Sequence, residues 1–142
     1  MLKDYHMEDF QAQDHSNILL YNSFKNIKEY CKKNYPYESG GLIKRDYSLI
    51  YVKSIIKDML NFYPEPMFYN YLRKPDLLKY TFHSHLDCPL PSNNDIFFVK
   101  NYDIPIIIYS LNRNIFLSVN IIDEKINTTW YIEEAGLWTI KC

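Results

Sequence analysis

His83-Ser84-His85 closes an apolar run, and a short Pro-containing loop leads from it to Ser92-Asn93-Asn94-Asp95. Two histidines at i and i+2 of a strand point to the same face. If the chain turns and starts a helix at Ser92, Asp95 comes back to that face. Two neutral imidazoles and one carboxylate leave the fourth position of a tetrahedral zinc open for water, as in a catalytic rather than a structural site. The same residues have a plainer reading: a strand that ends in two histidines, then a helix that opens with Ser-x-x-Asp, a common capping pattern. Ser92 fits both. As an N-cap its hydroxyl satisfies a backbone N–H; turned toward a metal it donates to the oxyanion of a tetrahedral intermediate. Far upstream, Glu38 is the candidate general base, a carboxylate that takes a proton from activated water and passes it to a leaving amine. Two of the three glycines, Gly40 and Gly41, follow it. They point to a close backbone approach or unusual dihedrals.

The elements that must position these residues can be read from spacing. Ser16 or Asn17 can cap a helix to about Asn34, with Leu20, Phe24, Ile27 and Cys31 at helical intervals and lysines in the last turn. Pro36 ends it. Gly41–Lys44 and Ser48–Ile55 read as a strand pair around the turn Arg45-Asp46-Tyr47. Asp58–Pro66 is a loop, Met67–Leu72 a short helical stretch, and Pro75 starts another turn. Lys79–His85 is a strand, and Pro91-Ser92 opens a helix to about Tyr102. Ile104–Ser110 and Ile115–Ile122 are strands around Asn112-Arg113-Asn114, and Thr128–Glu133 and Leu137–Ile140 are terminal strands. Met1–His15 shows no period and reads as a loosely held lead-in. The expected fold is α/β of the α+β type: one mixed sheet flanked by helices, in a single domain spanning residues 1–142.

Composition narrows the function. Sixteen basic and 17 acidic residues nearly cancel, which gives no basic field for nucleic acid. No apolar run is long enough to span a membrane, and the polar, acid-bearing N-terminus does not resemble a signal peptide. Cys31, Cys88 and Cys142 form no CxxC pair, so reduced thiols in a cytoplasmic setting are expected. Cys88 is read as a loop cysteine without a role and Asp87 as a turn residue. His6 and His15 are read as solvated, and Trp130 and Trp138 as core. The aromatic stretch Phe62–Tyr71 either lines a substrate groove or covers the sheet.

The segments Glu38-Ser39-Gly40-Gly41-Leu42-Ile43, His83-Ser84-His85 and Pro91-Ser92-Asn93-Asn94-Asp95, in this order and followed by the apolar strand Ile104–Leu111, resemble the JAMM (MPN+) metallopeptidase family. The likeness runs from about Ile18 to Ile122. It implies a curved mixed sheet with helices packed on it, the JAMM/MPN or cytidine-deaminase-like fold. It implies His83, His85 and Asp95 as zinc ligands, Glu38 as the base and Ser92 as the oxyanion donor. The implied reaction is hydrolysis of a peptide or isopeptide bond in a cell-wall peptide, a phage structural protein or a ubiquitin-like tail. Tyr35-Pro36-Tyr37-Glu38, Asn61 and Pro66-Met67-Phe68 are similar to the JAMM domain of phage tail-tip assembly peptidases. That branch implies tail-tip proteins as partners and a virion-associated location for a phage-encoded copy. It often carries an NlpC/P60 domain as well, for which this chain ends too early. Two departures stand out. Leu86–Pro91 is six residues where the family usually has seven, and Leu86 replaces the proline usual in bacterial and phage members. Inactive members of the same fold make a non-catalytic assembly module the competing expectation.

Overall fold

A computed structural model describes the backbone of residues 4–6, 10–12, 18–132 and 139–141 and the side chains of residues 18–131. His15, Trp138, Cys142, the cap at Ser16 or Asn17 and the start of the terminal strand at Leu137 lie outside the described residues, as does the side chain of His6.

Two short strands, β1 (Asp4–His6) and β2 (Phe10–Ala12), occupy the segment expected as a loose lead-in. Their partners stand at the far end of the chain, so no local periodicity announces them. Helix α1 (Ile18–Lys33) buries Phe24, Ile27 and Cys31 at helical intervals and ends in Lys32 and Lys33, which suit the negative pole of the helix. β3 (Gly40–Lys44) and β4 (Leu49–Val52) form a hairpin in which Tyr47 takes a left-handed conformation, φ 66°. Helix α2 (Met67–Leu72) and a 3-10 turn (Pro75–Leu77) lead into β5 (Leu78–His85).

Helix α3 (Asn93–Tyr102) crosses from β5 to β6 (Ile106–Ser110), and these two strands run parallel. Parallel neighbours need such a crossover. β7 (Ile115–Ile122) and β8 (Lys125–Ile132) form a second hairpin. β8 starts earlier than the expected Thr128, because Asp123 and Glu124 both adopt positive φ, 50° and 63°, and close a two-residue turn. Such a turn normally announces itself as Asn-Gly or Asp-Gly; here that signal is missing. β9 (Thr139–Lys141) pairs antiparallel with β1.

The strands β8-β7-β6-β5-β3-β4 form one mixed sheet, with β2 added parallel to β8 at its edge. Alternate residues of the central strands face different layers. On one face Phe24, Ile27 and Cys31 of α1 pack on Ile43, Phe82, Ile107, Tyr109 and Phe116. On the other, Val99 of α3 packs on Ile106, Ile108, Leu117, Val119 and Trp130. Phe68 and Leu72 of α2 cover Leu42, Val52, Leu78 and Ile104. Burial on both faces explains why β6 reads as an unbroken apolar run.

Candidate functional site

β5 delivers both histidines. Phe82 and Ser84 face α1, so His83 and His85 face the α3 side. The chain then turns, and Ser92 caps α3: its hydroxyl accepts from the Asp95 backbone N–H at 3.1 Å, and Asp95 Oδ2 accepts from the Ser92 N–H at 2.9 Å. This reciprocal box fixes the Asp95 side chain. Despite the six-residue loop, Asp95 Oδ1 lies 3.1 Å from His83 Nε2 and its Oδ2 3.4 Å from His85 Nε2, while the two Nε2 atoms are 3.2 Å apart. The three atoms converge at the carboxyl end of a parallel strand and the start of the following helix, the usual place for sites in such sheets.

Glu38 enters from the strand next door. Gly40 pairs with His83 in the β3–β5 ladder. Just before it, the Ser39 N–H donates to Ser84 Oγ at 3.0 Å and the Ser84 N–H donates to the Ser39 carbonyl at 2.8 Å. The segment holding the candidate base is thereby tied to the residue between the two histidines. Glu38, His83 and His85 each bring a ligand atom within 4.8 Å of the others, a group able to hold a metal ion.

The two glycines serve close approach, since neither has positive φ. A Cβ on Gly40 would stand 2.6 Å from the Phe82 carbonyl oxygen and 2.7 Å from the Phe62 ring; one on Gly41 would overlap the Ile50 carbonyl and crowd the Phe82 ring.

Electrostatics separate the two carboxyls. Burial pushes Glu38 up to about 7; the Asp95 and Asp58 carboxylates add to the rise and His85 opposes it. Burial would also raise Asp95, but His83 and His85, through charge and hydrogen bonds, hold it well below the usual carboxylate range. One buried carboxyl poised near neutrality beside one held ionised is the division of labour expected of a base and a ligand.

The backbone carbonyl of Cys88 lies 2.9 Å from His85 Nδ1. A carbonyl only accepts, so Nδ1 donates its proton there, and the ring is held with Nε2 turned toward Asp95 and His83. The strap holding that carbonyl is itself anchored: the Ser110 hydroxyl donates to the Asp87 carbonyl, Arg113 Nε donates to Asp87 Oδ1 at 3.1 Å, and the Leu111 N–H donates to the His85 carbonyl at 3.0 Å. Asp87, read from the sequence as a turn residue, lies in a bend and anchors the strap. The expectation for Cys88 is corrected. Its carbonyl orients a histidine, while Cys31 is a free buried thiol. Backbone acceptors carry no residue-type signal, so nothing in the sequence marks this one.

These groups open into a cavity of about 550 Å³, also lined by Ser92, Phe62, Phe68 and Phe98. In the Phe62–Tyr71 stretch, Phe68 is buried against the sheet, and Phe62, Phe68 and Tyr69 line the cavity. Trp130 is core, fully buried as expected. Among the described residues no helix is long and apolar enough to cross a membrane. No family model matches the chain, and no curated protein matches it.

Proposed function

We propose that the protein is a zinc-dependent hydrolase of peptide or isopeptide bonds of the JAMM type, with His83, His85 and Asp95 as ligands and Glu38 as general base. One observation carries the reading. Zinc bonds of about 2.0–2.1 Å in a tetrahedron require ligand atoms about 3.3–3.4 Å apart; the two histidine Nε2 atoms are 3.2 Å apart, and the Asp95 carboxylate stands 3.1 Å from His83 Nε2 through Oδ1 and 3.4 Å from His85 Nε2 through Oδ2. The orientation of His85 by the Cys88 carbonyl supports it, because such outer partners fix the tautomer of metal-binding histidines.

Zinc bound there supplies Lewis acidity and a water that ionises near neutral pH. The chain's own residues do the rest. Glu38, buried beside the two histidines, would accept a proton from the attacking water and deliver it to the leaving amine. The Ser92 hydroxyl accepts from the Asp95 N–H and keeps its own proton, which is free to stabilise the developing oxyanion. A buried carboxyl beside two histidines has no task in a purely structural module, which favours the hydrolase over the non-catalytic assembly module. Cell-wall peptides, phage structural proteins and ubiquitin-like tails all suit this chemistry.

The test is metal content by elemental analysis on protein purified without a His tag. About one zinc per chain is expected in the wild type, with loss in His83→Ala and Asp95→Ala. Retention of full zinc in both variants, or no uptake by the wild type after zinc is supplied, would overturn the ligand assignment and leave the assembly module as the reading.

A further inference from the structure

The cavity lining joins two kinds of group: Glu38, His83, His85 and Asp95 on the one hand, and the hydrocarbon of Met59, Leu60, Phe62, Phe68 and Phe98 on the other. No lysine or arginine lines it among the described residues, and the further acid on the lining, Asp87, faces Arg113. An acidic substrate group would find no counter-charge there, and a basic one would have to leave water for an apolar wall.

The lip is built rather than loose. The Glu38 N–H donates to the Asp58 carbonyl at 2.8 Å, which fastens the loop beside the candidate base. Asp58 Oδ1 then accepts from the N–H groups of Leu60 and Asn61 at 2.7 and 3.0 Å, a side-chain-closed turn. This turn holds Leu60 with 79% of its surface exposed and Met59 with 44%. Below the lip, Phe62 lies over Gly40, where any side chain would displace its ring. A fastened turn that keeps large apolar groups in water at the mouth of an apolar cavity has the form of a recognition site.

We propose that Met59, Leu60, Phe62, Phe68 and Phe98 form a subsite for a bulky uncharged side chain, aliphatic or aromatic, next to the scissile bond of a peptide substrate. The inference rests on the hydrolase reading for the word scissile. The subsite itself rests on the loop, the cavity wall and their continuity with the Glu38 cluster. Specificity here comes from apolar contact, where a difference in side-chain size or charge is worth tenfold or more.

The experiment has two arms. In the first, the zinc-loaded protein digests a mixture of peptides of random sequence, and mass spectrometry reads the residues around each cut. Leu, Ile, Met and Phe should exceed Asp and Glu by about tenfold or more at one fixed position. The double variant Met59→Asp/Leu60→Asp, altered only at exposed positions, should lose that preference and turn toward Lys and Arg, with the loss in KM rather than kcat. Cutting without an apolar preference, or a preference unchanged in the double variant, overturns the subsite and leaves the hydrolase reading standing. In the second arm, fluorescence anisotropy compares labelled octapeptides bearing Phe or Glu at the centre, on the protein as purified. Tighter binding of the Phe peptide, lost in the double variant, supports the subsite even where no peptide is cut, in which case the hydrolase reading fails alone. Equal binding of the two peptides overturns the subsite.

Discussion

Glu38 and Asp95 share one cavity yet shift in opposite directions, Glu38 up to about 7 and Asp95 below the usual carboxylate range, and position decides which is which. Asp95 meets two imidazoles; Glu38 is 5% exposed and has two carboxylates for neighbours. Replacing Glu38 by Gln should therefore leave zinc content intact while lowering turnover about 100-fold or more, the range set by losing a positioned base; elemental analysis and a peptide-cleavage assay read the two effects separately. Ser110 lies outside the cavity but holds the strap that presents the Cys88 carbonyl to His85. Ser110→Ala should weaken zinc binding about 10–100-fold, measured by competition with a chromophoric chelator, with a matching change in the visible spectrum of the cobalt-substituted protein. Wild-type affinity in that variant would show that the strap holds without the hydroxyl.

At the level of elements, two devices set the site: a capped helix and a glycine pair. Ser92→Ala removes the cap and should lower stability by about 1 kcal/mol in urea denaturation, whereas Ser92→Asp restores the cap and the stability. Turnover that stays low in the Asp variant would isolate the donor role of the hydroxyl from its capping role. Gly40→Ala forces the Phe82 carbonyl or the Phe62 ring to move, and Gly41→Ala meets a backbone carbonyl of β4 and the Phe82 ring at once. Both should lower the unfolding free energy in urea by about 1–3 kcal/mol or more, with Gly41→Ala the worse, because its Cβ would meet a backbone carbonyl more closely than that of Gly40→Ala. Much of this was legible in the residues. His83 and His85 share a parity on β5, Ser-x-x-Asp marks the start of α3, and paired glycines announce a close approach. The helix and strand pattern from Ile18 to Ile122 follows from periodicity. What escaped was non-local or unsigned: the β1 and β2 pairings depend on the far end of the chain, the Asp123-Glu124 turn uses residues that rarely take positive φ, and the acceptor for His85 is a peptide carbonyl.

Considered whole, the molecule is a sheet sandwiched between α1 on one face and α2 with α3 on the other, and its buried thiol records how tightly the α1 side is closed. Burial pushes Cys31 up to about 11, against the opposing pull of the Ser39 and Ser84 hydroxyls. Iodoacetamide at pH 8 should thus modify it only through unfolding, at a rate that tracks the denaturant dependence of global stability. The sign of the pH effect follows. Below about pH 9 the thiol is protonated in both states and contributes no dependence. Between about 9 and 11 the unfolded chain loses the proton first, so stability falls as pH rises through that window. A Cys31→Ala variant should flatten this limb of the stability profile. The Ser39–Ser84 stitch also bears on how the molecule could diversify. Because Glu38 and the histidines are spaced by bonds between neighbouring strands, the geometry of the proposed site is a property of the chassis, while residues 59–63 hang from it as a separate turn closed by Asp58. On the proposed function, new lips grafted between Asp58 and Pro64 should exchange one clientele for another while the Glu38–histidine spacing keeps its gauge.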